Sequence, residues 1–213
     1  MAPDLLAGID LQDRVVTGDA LYAQRELSRQ IVEQGGDYLF IVKANQATLL
    51  DDIATLFADL PTPAGMAEQW GRHGNRHEVR RIWTSTDLNE YSGWPHLAQV
   101  CQIERQRTCK GQVQREIAFA ITSLCPQKAS PGKLLALIRG HWSIENRLHW
   151  VRDVTFDEDR SQVRKGSGPQ VMACLRNTTI GLLRLKGVTN IAAARRRNAC
   201  HADEALALLG IHI

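Results

Sequence analysis

The sequence has no apolar run that approaches the roughly 18 residues a membrane-spanning helix needs. Its first ten residues, MAPDLLAGID, lack the basic region and apolar stretch of a secretion signal. Aromatic residues make up only 6% of the 213 residues, but hydrophobic residues at 44% and charged residues at 23% are at ordinary levels for a globular chain. These features predict a cytoplasmic globular protein without a membrane partner, and they exclude a disordered or collagen-like chain.

The sequence also lacks several motifs of common enzymes. Its five cysteines show no Cys-x-x-Cys spacing, so neither a zinc site of that type nor a redox loop is expected. It contains no Walker loop, no Gly-x-Gly-x-x-Gly and no Gly-x-Ser-x-Gly. Nucleotide-binding and serine-hydrolase chemistry of those kinds is therefore not expected.

Charge is distributed unevenly along the chain, although the net charge is only +3. Residues 1–60 carry four basic and ten acidic side chains, whereas residues 139–197 carry twelve basic and five acidic ones. A concentrated basic surface is typical of proteins that bind nucleic acid, and a solvated helical surface is the alternative. Charge alone does not decide between the two.

The first sixty residues alternate between strand and helix patterns. Residues 14–17 indicate a strand, residues 20–34 an amphipathic helix and residues 38–43 a second buried strand, and a further helix is expected over 47–58. Two strands joined by a helix within about 30 residues predict a βαβ unit with a parallel sheet.

The pattern then changes twice. In three segments apolar and polar residues alternate or apolar residues are continuous, which predicts an antiparallel meander or hairpin. The turn residues Lys110-Gly111 support this prediction. These segments are residues 76–85, 98–107 and 112–122. Later segments are mostly helical, with helices expected over 134–151 and 170–186. The predicted parts of the chain are an α/β part, a β insertion and a helical part, over residues 1–60, 61–127 and 128–213.

Two places in the sequence could carry chemistry. Asp19 directly follows the first predicted strand, where open α/β sheets place ligand-binding and catalytic groups. Its alternative role is to cap the helix that follows. On a continuous helix, His141, Glu145, His149 and Arg152 would share one face, which suits a metal-ligand carboxylate followed by a phosphate-orienting cation. A zinc site of the two histidines and the glutamate, and an exposed face with spaced ion pairs, are the alternatives.

Three long segments resemble bacterial insertion-sequence transposases of the DDE type, in the group that includes the H-repeat-associated proteins. The segments are VVTGDALYAQRELSRQIVEQGGDYLFIVKANQATLLDDI, HGNRHEVRRIW and IRGHWSIENRLHWVRDVTFDEDRSQVR, and a late helix reads RNTTIGLLR. The resemblance covers nearly all of residues 1–213. It implies a ribonuclease-H-like (retroviral-integrase-like) α/β core with an antiparallel β insertion and C-terminal helices. The implied activity is metal-dependent cleavage and transfer of DNA strands in transposition and recombination.

By this resemblance, Asp19 and Glu145 are the second and third carboxylates of the catalytic triad and ligands of Mg²⁺ or Mn²⁺. In the family the first Asp ends an earlier strand, and Asp10 and Asp13 are too close to Asp19 to replace it. The core is therefore expected to be N-terminally truncated. Its two-metal site would be complete only with the missing Asp, so the chain alone is expected to be inactive.

The helix around Glu145 is similar to the family's Tyr-Arg-Glu-Lys signature, with Ile138, His141 and Arg152 at the Tyr, Arg and Lys positions. The expected partners are double-stranded DNA, as transposon ends and target, and further copies of the chain. The residues expected to contact DNA are Lys43, His141, Arg152, Arg164, Lys165, Arg195, Arg196 and Arg197. The alternative functions are a non-catalytic DNA-binding remnant that uses the basic C-terminal helices and a decayed product without function.

Overall fold

The computed structural model describes residues 2–59, 64–73, 76–144 and 148–211. The chain forms two compact units, Met1–His141 and Trp142–Ile213. The strands of the described residues are β1 (Val15–Gly18), β2 (Asp37–Val42), β3 (Gly65–His73), β4 (Arg76–Ser85), β5 (Gln99–Cys109) and β6 (Gln112–Thr122). The helices that begin in the first unit are α1 (Ala2–Ala7), α2 (Arg25–Glu33), α3 (Ala47–Asp59) and α4 (Pro131–Ile144). None of the described helices has the length and hydropathy needed to cross a membrane.

All six of these strands belong to one mixed sheet, in the order β1-β2-β6-β5-β4-β3. The β1–β2 pair is parallel, as the βαβ pattern predicts, and the other pairs are antiparallel. The predicted hairpin is confirmed, because Lys110 and Gly111 both have positive φ and connect Cys109 to its partner Gln112. Strand β3 was not expected, and β6 pairs with β2, so the predicted β insertion shares its sheet with the α/β part.

The predicted helix over residues 20–34 begins later than expected. Ala20–Tyr22 forms a short 3₁₀ turn, and α2 starts only at Arg25. Leu21 is 71% exposed, whereas Leu27 and Ile31 are buried and give α2 its apolar face. The apolar periodicity that supports a helix therefore starts with Leu27, and the preceding residues form the turn that follows β1.

The two faces of the sheet are covered by different helices. On one face, Tyr38 and Phe40 of β2 join the core formed with α2 and α3. Because successive side chains of a strand point to opposite faces, Thr17, Leu39 and Ile41 belong to the other face. There α4 crosses the sheet: Pro131 approaches Gly65 of β3 so closely that an added Cβ would lie 2.7 Å away, and His141 reaches Thr17 of β1. We call this second face the α4 face.

Four strands extend beyond the end of the parallel pair. Strand β2 pairs with β6 only as far as Val42, opposite Phe119. Residues 112–118 of β6 and their partners on β5, β4 and β3 continue past that level for about 20 Å, at about 3.4 Å per residue. We call this extension the sheet arm, and it comprises residues 67–73, 76–82, 103–109 and 112–118.

The second unit is helical in its described residues. A π-helical segment (Val151–Thr155) and a 3₁₀ turn (Glu158–Arg160) precede α5 (Gly168–Leu185), α6 (Ile191–Cys200) and α7 (Ala202–Leu208). Val151, Ile180, Leu183 and Ile191 form its buried core. The prediction of one α-helix over residues 134–151 is wrong, because residues 148–149 and Val151–Thr155 are π-helical. The wider π turn changes the angle between successive side chains, so spacing by four no longer defines one face.

Candidate functional site

The candidate site lies where the two parallel strands end. Asp19 directly follows β1 and Lys43 directly follows β2, so the parallel pairing brings them to the same edge of the sheet. The Lys43 ammonium lies 3.1 Å from one carboxylate oxygen of Asp19 and 3.5 Å from the other. Both side chains remain at least half exposed. The pair is therefore accessible to a ligand at the carboxyl edge of the sheet.

Two amides fix the loops that carry this pair. The Asn45 side chain donates a hydrogen bond to the Ala20 carbonyl at 2.7 Å, and the Gln46 side chain donates one to the Ala23 carbonyl at 3.0 Å. The turn after β2 thus holds the turn after β1. Sequence reasoning missed these two residues, and their signal was their place two and three residues after Lys43, in the turn that follows β2.

Gly18 allows the first loop to lie close to the core. A Cβ at this position would lie 2.9 Å from the Phe40 ring and 2.9 Å from Cβ of Tyr22. Such contacts are shorter than real Cβ atoms make, so any larger residue would displace the chain next to Asp19.

Helix α4 brings His141 to this edge. Leu134, Ile138 and His141 follow one another at helical spacings of four and three, so they lie along one face. Leu134 and Ile138 are buried. His141 therefore points the same way, and its Nδ1 lies 3.2 Å from the Thr17 hydroxyl. Thr17 is two residues before Asp19, on the same side of β1.

The Asp19 carboxyl has a pKa below its usual value. Partial burial acts to raise this pKa, but the Ala20 backbone amide, the Lys43 ammonium and the nearby charge of His141 together lower it. The alternative role as a helix cap is not supported, because the Asp19 side chain makes no capping hydrogen bond to the 3₁₀ turn. Asp19 is thus an ionised, half-exposed carboxylate at neutral pH, with the Lys43 ammonium beside it.

Replacing Lys43 by Ala should raise the pKa of Asp19, because the ion pair and its hydrogen bond both favour the carboxylate. A ¹³C NMR titration of the Asp19 carboxyl would measure this shift. Because the Asp19 pKa is lowered in the folded protein, the pair's small contribution to the free energy of unfolding should be present at neutral pH. It should be lost as the pH falls through the Asp19 pKa.

The Lys128–Asp37 pair provides the control, since its Nζ–Oδ2 distance is 3.2 Å and Lys128 is as exposed as Lys43. Lys128→Ala should leave Asp19 unchanged. An Asp19 pKa that is the same in Lys43→Ala and the wild type would show that the pair does not form in solution.

Glu145, the other predicted catalytic carboxylate, lies outside the described residues, and with it one ligand of the alternative zinc site with His141 and His149. Asp10 and Asp13 precede β1, whereas Asp19 follows it, so the strand separates them. Among the described residues, no group of three His, Cys, Asp or Glu side chains is arranged to hold a metal ion.

Several basic residues predicted to contact DNA are engaged within the second unit. Arg152 forms two hydrogen bonds to Glu158, at 2.6 and 2.8 Å. The buried Arg176 lies 3.7 Å from the same carboxylate, which therefore connects α5 to the π-helical segment. Arg164 is 3.5 Å from the Ser161 carbonyl, and Lys165 is exposed.

The three consecutive arginines of α6 point in different directions, since successive residues of an α-helix are about 100° apart. Arg195 donates to the Thr155 carbonyl and lies over the Phe156 ring, 5.8 Å from its centroid. Arg197 forms two 2.7 Å hydrogen bonds to Glu204, and Arg196 is exposed. The DNA contacts of these three arginines, and those of Arg152, Arg164 and Lys165, stay predictions.

Comparison with known proteins gives a consistent result. A family model described as "Transposase DDE domain" matches residues 1–182. The H repeat-associated putative transposase YhhI of Escherichia coli is 28% identical over 85% of this chain and 50% of its own length. The Escherichia coli protein named putative transposase YncI is 29% identical over 96% of this chain and 56% of its own. An uncharacterized protein from the dhlA 3′ region of Xanthobacter autotrophicus is 37% identical over 57% of this chain and 43% of its own.

The chain spans about half the length of these curated relatives. Among solved structures, a sugar N-methyltransferase from Streptoalloteichus aligns over 56% of this chain and 45% of its own, with 11% identity and a TM-score of 0.26. A similarity that low gives no information on fold or function.

Proposed function

Because the chain belongs to the transposase DDE domain family, we propose that it is part of a DNA transposase that cleaves and transfers DNA strands at an insertion sequence with the help of divalent metal ions. The observation that supports this best is Asp19, an ionised carboxylate at the carboxyl end of β1 with Lys43 and His141 beside it. The non-catalytic alternative is not favoured, since related proteins are named as transposases.

Asp19 has the properties of a ligand for Mg²⁺ or Mn²⁺. These ions prefer carboxylate oxygens, and Asp19, whose pKa lies below its usual value, is charged at neutral pH. Half of its side-chain surface is exposed, so a hydrated ion can reach it. The family resemblance adds Glu145 as a second ligand, an assignment that rests on the sequence alone. When bound, such ions activate the attacking oxygen and stabilise the leaving one.

The Lys43 ammonium and the His141 imidazole next to Asp19 suit a phosphate substrate. Lys43 pairs with Asp19 in the described structure, and the loops that carry the two residues are held together by Asn45 and Gln46. The ammonium therefore stays at this edge of the sheet and can attract a DNA phosphate next to the carboxylate. His141 is held by its contact with Thr17, which orients its imidazole toward the same edge. These residues bind and position the phosphate group.

Replacing Asp19 by Asn should weaken Mn²⁺ binding to the protein by about tenfold or more, as expected when a ligand loses its charge. Isothermal titration calorimetry would measure the affinity. Asp13→Asn is the matched control, because it makes the same change on the other side of β1, at a turn position with a φ of 58° that Asn adopts readily. Equal Mn²⁺ affinities for Asp19→Asn and the wild type would contradict the assignment of Asp19.

We also propose that this chain alone does not cleave DNA, because it supplies two of the three carboxylates that the family uses. Purified chain with Mg²⁺ and supercoiled plasmid should give no nicked product. Nicking by the chain that Glu145→Ala abolishes would overturn this part of the proposal.

A further inference from the structure

The α4 face of the sheet arm carries a cluster of arginines. Alternation along the strands and the cross-strand register place Arg80 of β4 beside Arg105 of β5, with Arg107 two residues farther along the arm. The Glu78 carboxylate lies among all three: it accepts a 2.6 Å hydrogen bond from Arg80 and another from Arg105, and lies 3.5 Å from Nε of Arg107. One mostly buried carboxylate thus faces three guanidinium groups.

The positive charge of this cluster is not fully compensated. Burial lowers the pKa of Arg80, Glu78 acts to raise it, and repulsion from Arg105 and from Arg139 of α4 lowers it further. The buried Nε atoms of Arg80 and Arg107 have no hydrogen-bond partner among the described residues. A second carboxylate, Glu116, lies 3.5–3.7 Å from the cluster but is 64% exposed.

The opposite face of the arm has a different arrangement. There Arg81 lies between Glu68 and Glu104, at 2.5 and 3.0 Å, and Arg115 also pairs with Glu104. Acids and bases alternate in this network, and each of these arginines has a carboxylate partner. The excess of positive charge is thus on the α4 face.

The cationic surface continues to the tip of the arm. A cavity of about 420 Å³ is lined there by Arg107, Cys109, Lys110, Gln112 and Gln114. The side chains of Gln112 and Gln114 are exposed and can donate hydrogen bonds. Cationic groups together with amide donors are typical of surfaces that contact phosphates.

This surface is on the same face of the sheet as the candidate site. Asp19 and Lys43 follow Thr17 and Ile41 in the alternation that defines the α4 face, and the arm continues past the strand ends that carry them. The arm is about 20 Å long, compared with about 34 Å for one turn of duplex DNA. A duplex that reaches Asp19 can therefore lie along the arm for more than half a turn.

We propose that the α4 face of the sheet arm binds the sugar-phosphate backbone of double-stranded DNA, through Arg105, Arg107, Lys110 and Arg139. This inference deepens the proposed function, because it locates where DNA next to the candidate site is held. Guanidinium and ammonium groups on a strand face contact phosphates without reading base edges, so the binding is independent of sequence.

Duplex binding by the full chain tests the proposal, measured by fluorescence anisotropy in EDTA so that metal and catalysis play no part. The double variant R107Q/K110Q should raise the Kd about tenfold at 0.1 M salt and reduce the slope of log Kd against log salt by about 2. The double variant R29Q/R115Q makes the same charge change on α2 and on the opposite face of the arm, and should bind like the wild type. Glu116→Gln, which removes an exposed acid from the α4 face, should lower the Kd by about twofold or more.

Thermal unfolding of each variant confirms that it is folded. Equal losses of affinity in the two double variants, or weaker binding by Glu116→Gln, would overturn the proposed surface while leaving DNA as the substrate. A wild-type chain that does not bind duplex DNA would also overturn it, and metal binding at Asp19 would then still test the proposed function separately.

Discussion

Replacing Ile138 by Ala should lower the free energy of unfolding of the protein by about 3 kcal/mol. Ile138 is 1% exposed and, with Leu134 and Leu135 at 0% and 2%, forms the apolar face with which α4 packs in the first unit. The loss combines the transfer of the removed atoms to water with the cavity left in a close-packed interior. Urea denaturation followed by circular dichroism would measure it.

The same substitution should affect the candidate site, because Ile138 is one turn before His141. Loosening α4 weakens the contact between His141 and Thr17, and the pKa of Asp19 should rise, since the charge of His141 helps to lower it. Leu137→Ala is the control: it removes a half-buried side chain of similar size from the adjacent position of the helix. A loss of stability in Leu137→Ala that equals the loss in Ile138→Ala would show that α4 does not pack as described.

Much of the first unit could be predicted because its signals are local. A β-branched strand, a helix and an apolar strand within thirty residues predicted the parallel pair, and Asp19 was found by its place after β1. The β5–β6 turn followed from Lys110-Gly111. Strand β3 was missed because Trp70 and Met66 are exposed and its apolar and polar residues alternate only weakly. Its pairing with β4 is visible only in the structure.

The helix face predicted for His141, Glu145, His149 and Arg152 depends on an unbroken α-helical periodicity. The π-helical segment over Val151–Thr155 has more residues per turn, so that periodicity does not hold there. Charge counting had a similar limit. It pointed to the arginines of residues 139–197, yet Arg152, Arg195 and Arg197 have partners within their own unit. The register between strands, which counting charges along the chain does not reveal, brings Arg80, Arg105 and Arg107 together on one face.

Replacing Glu78 by Gln should lower the free energy of unfolding by about 3 kcal/mol. The amide keeps the shape of the side chain but removes the negative charge among Arg80, Arg105 and Arg107. Arg80 is the most affected, because its side chain is only 12% exposed and the remaining guanidinium groups repel it. Urea denaturation at low and high salt would measure the effect, which should shrink at high salt as this repulsion is screened.

Two comparisons separate this explanation from a general defect of the sheet arm. Glu116→Gln makes the same charge change on the same face, but Glu116 is 64% exposed, so the expected loss is below about 1 kcal/mol. In the Glu78→Gln background, Arg80→Met should recover most of the lost stability, because a buried charge without a partner costs more than an apolar side chain of similar length. If Arg80→Met instead adds to the loss, the destabilisation does not come from uncompensated charge, and the arginine cluster is not held by Glu78.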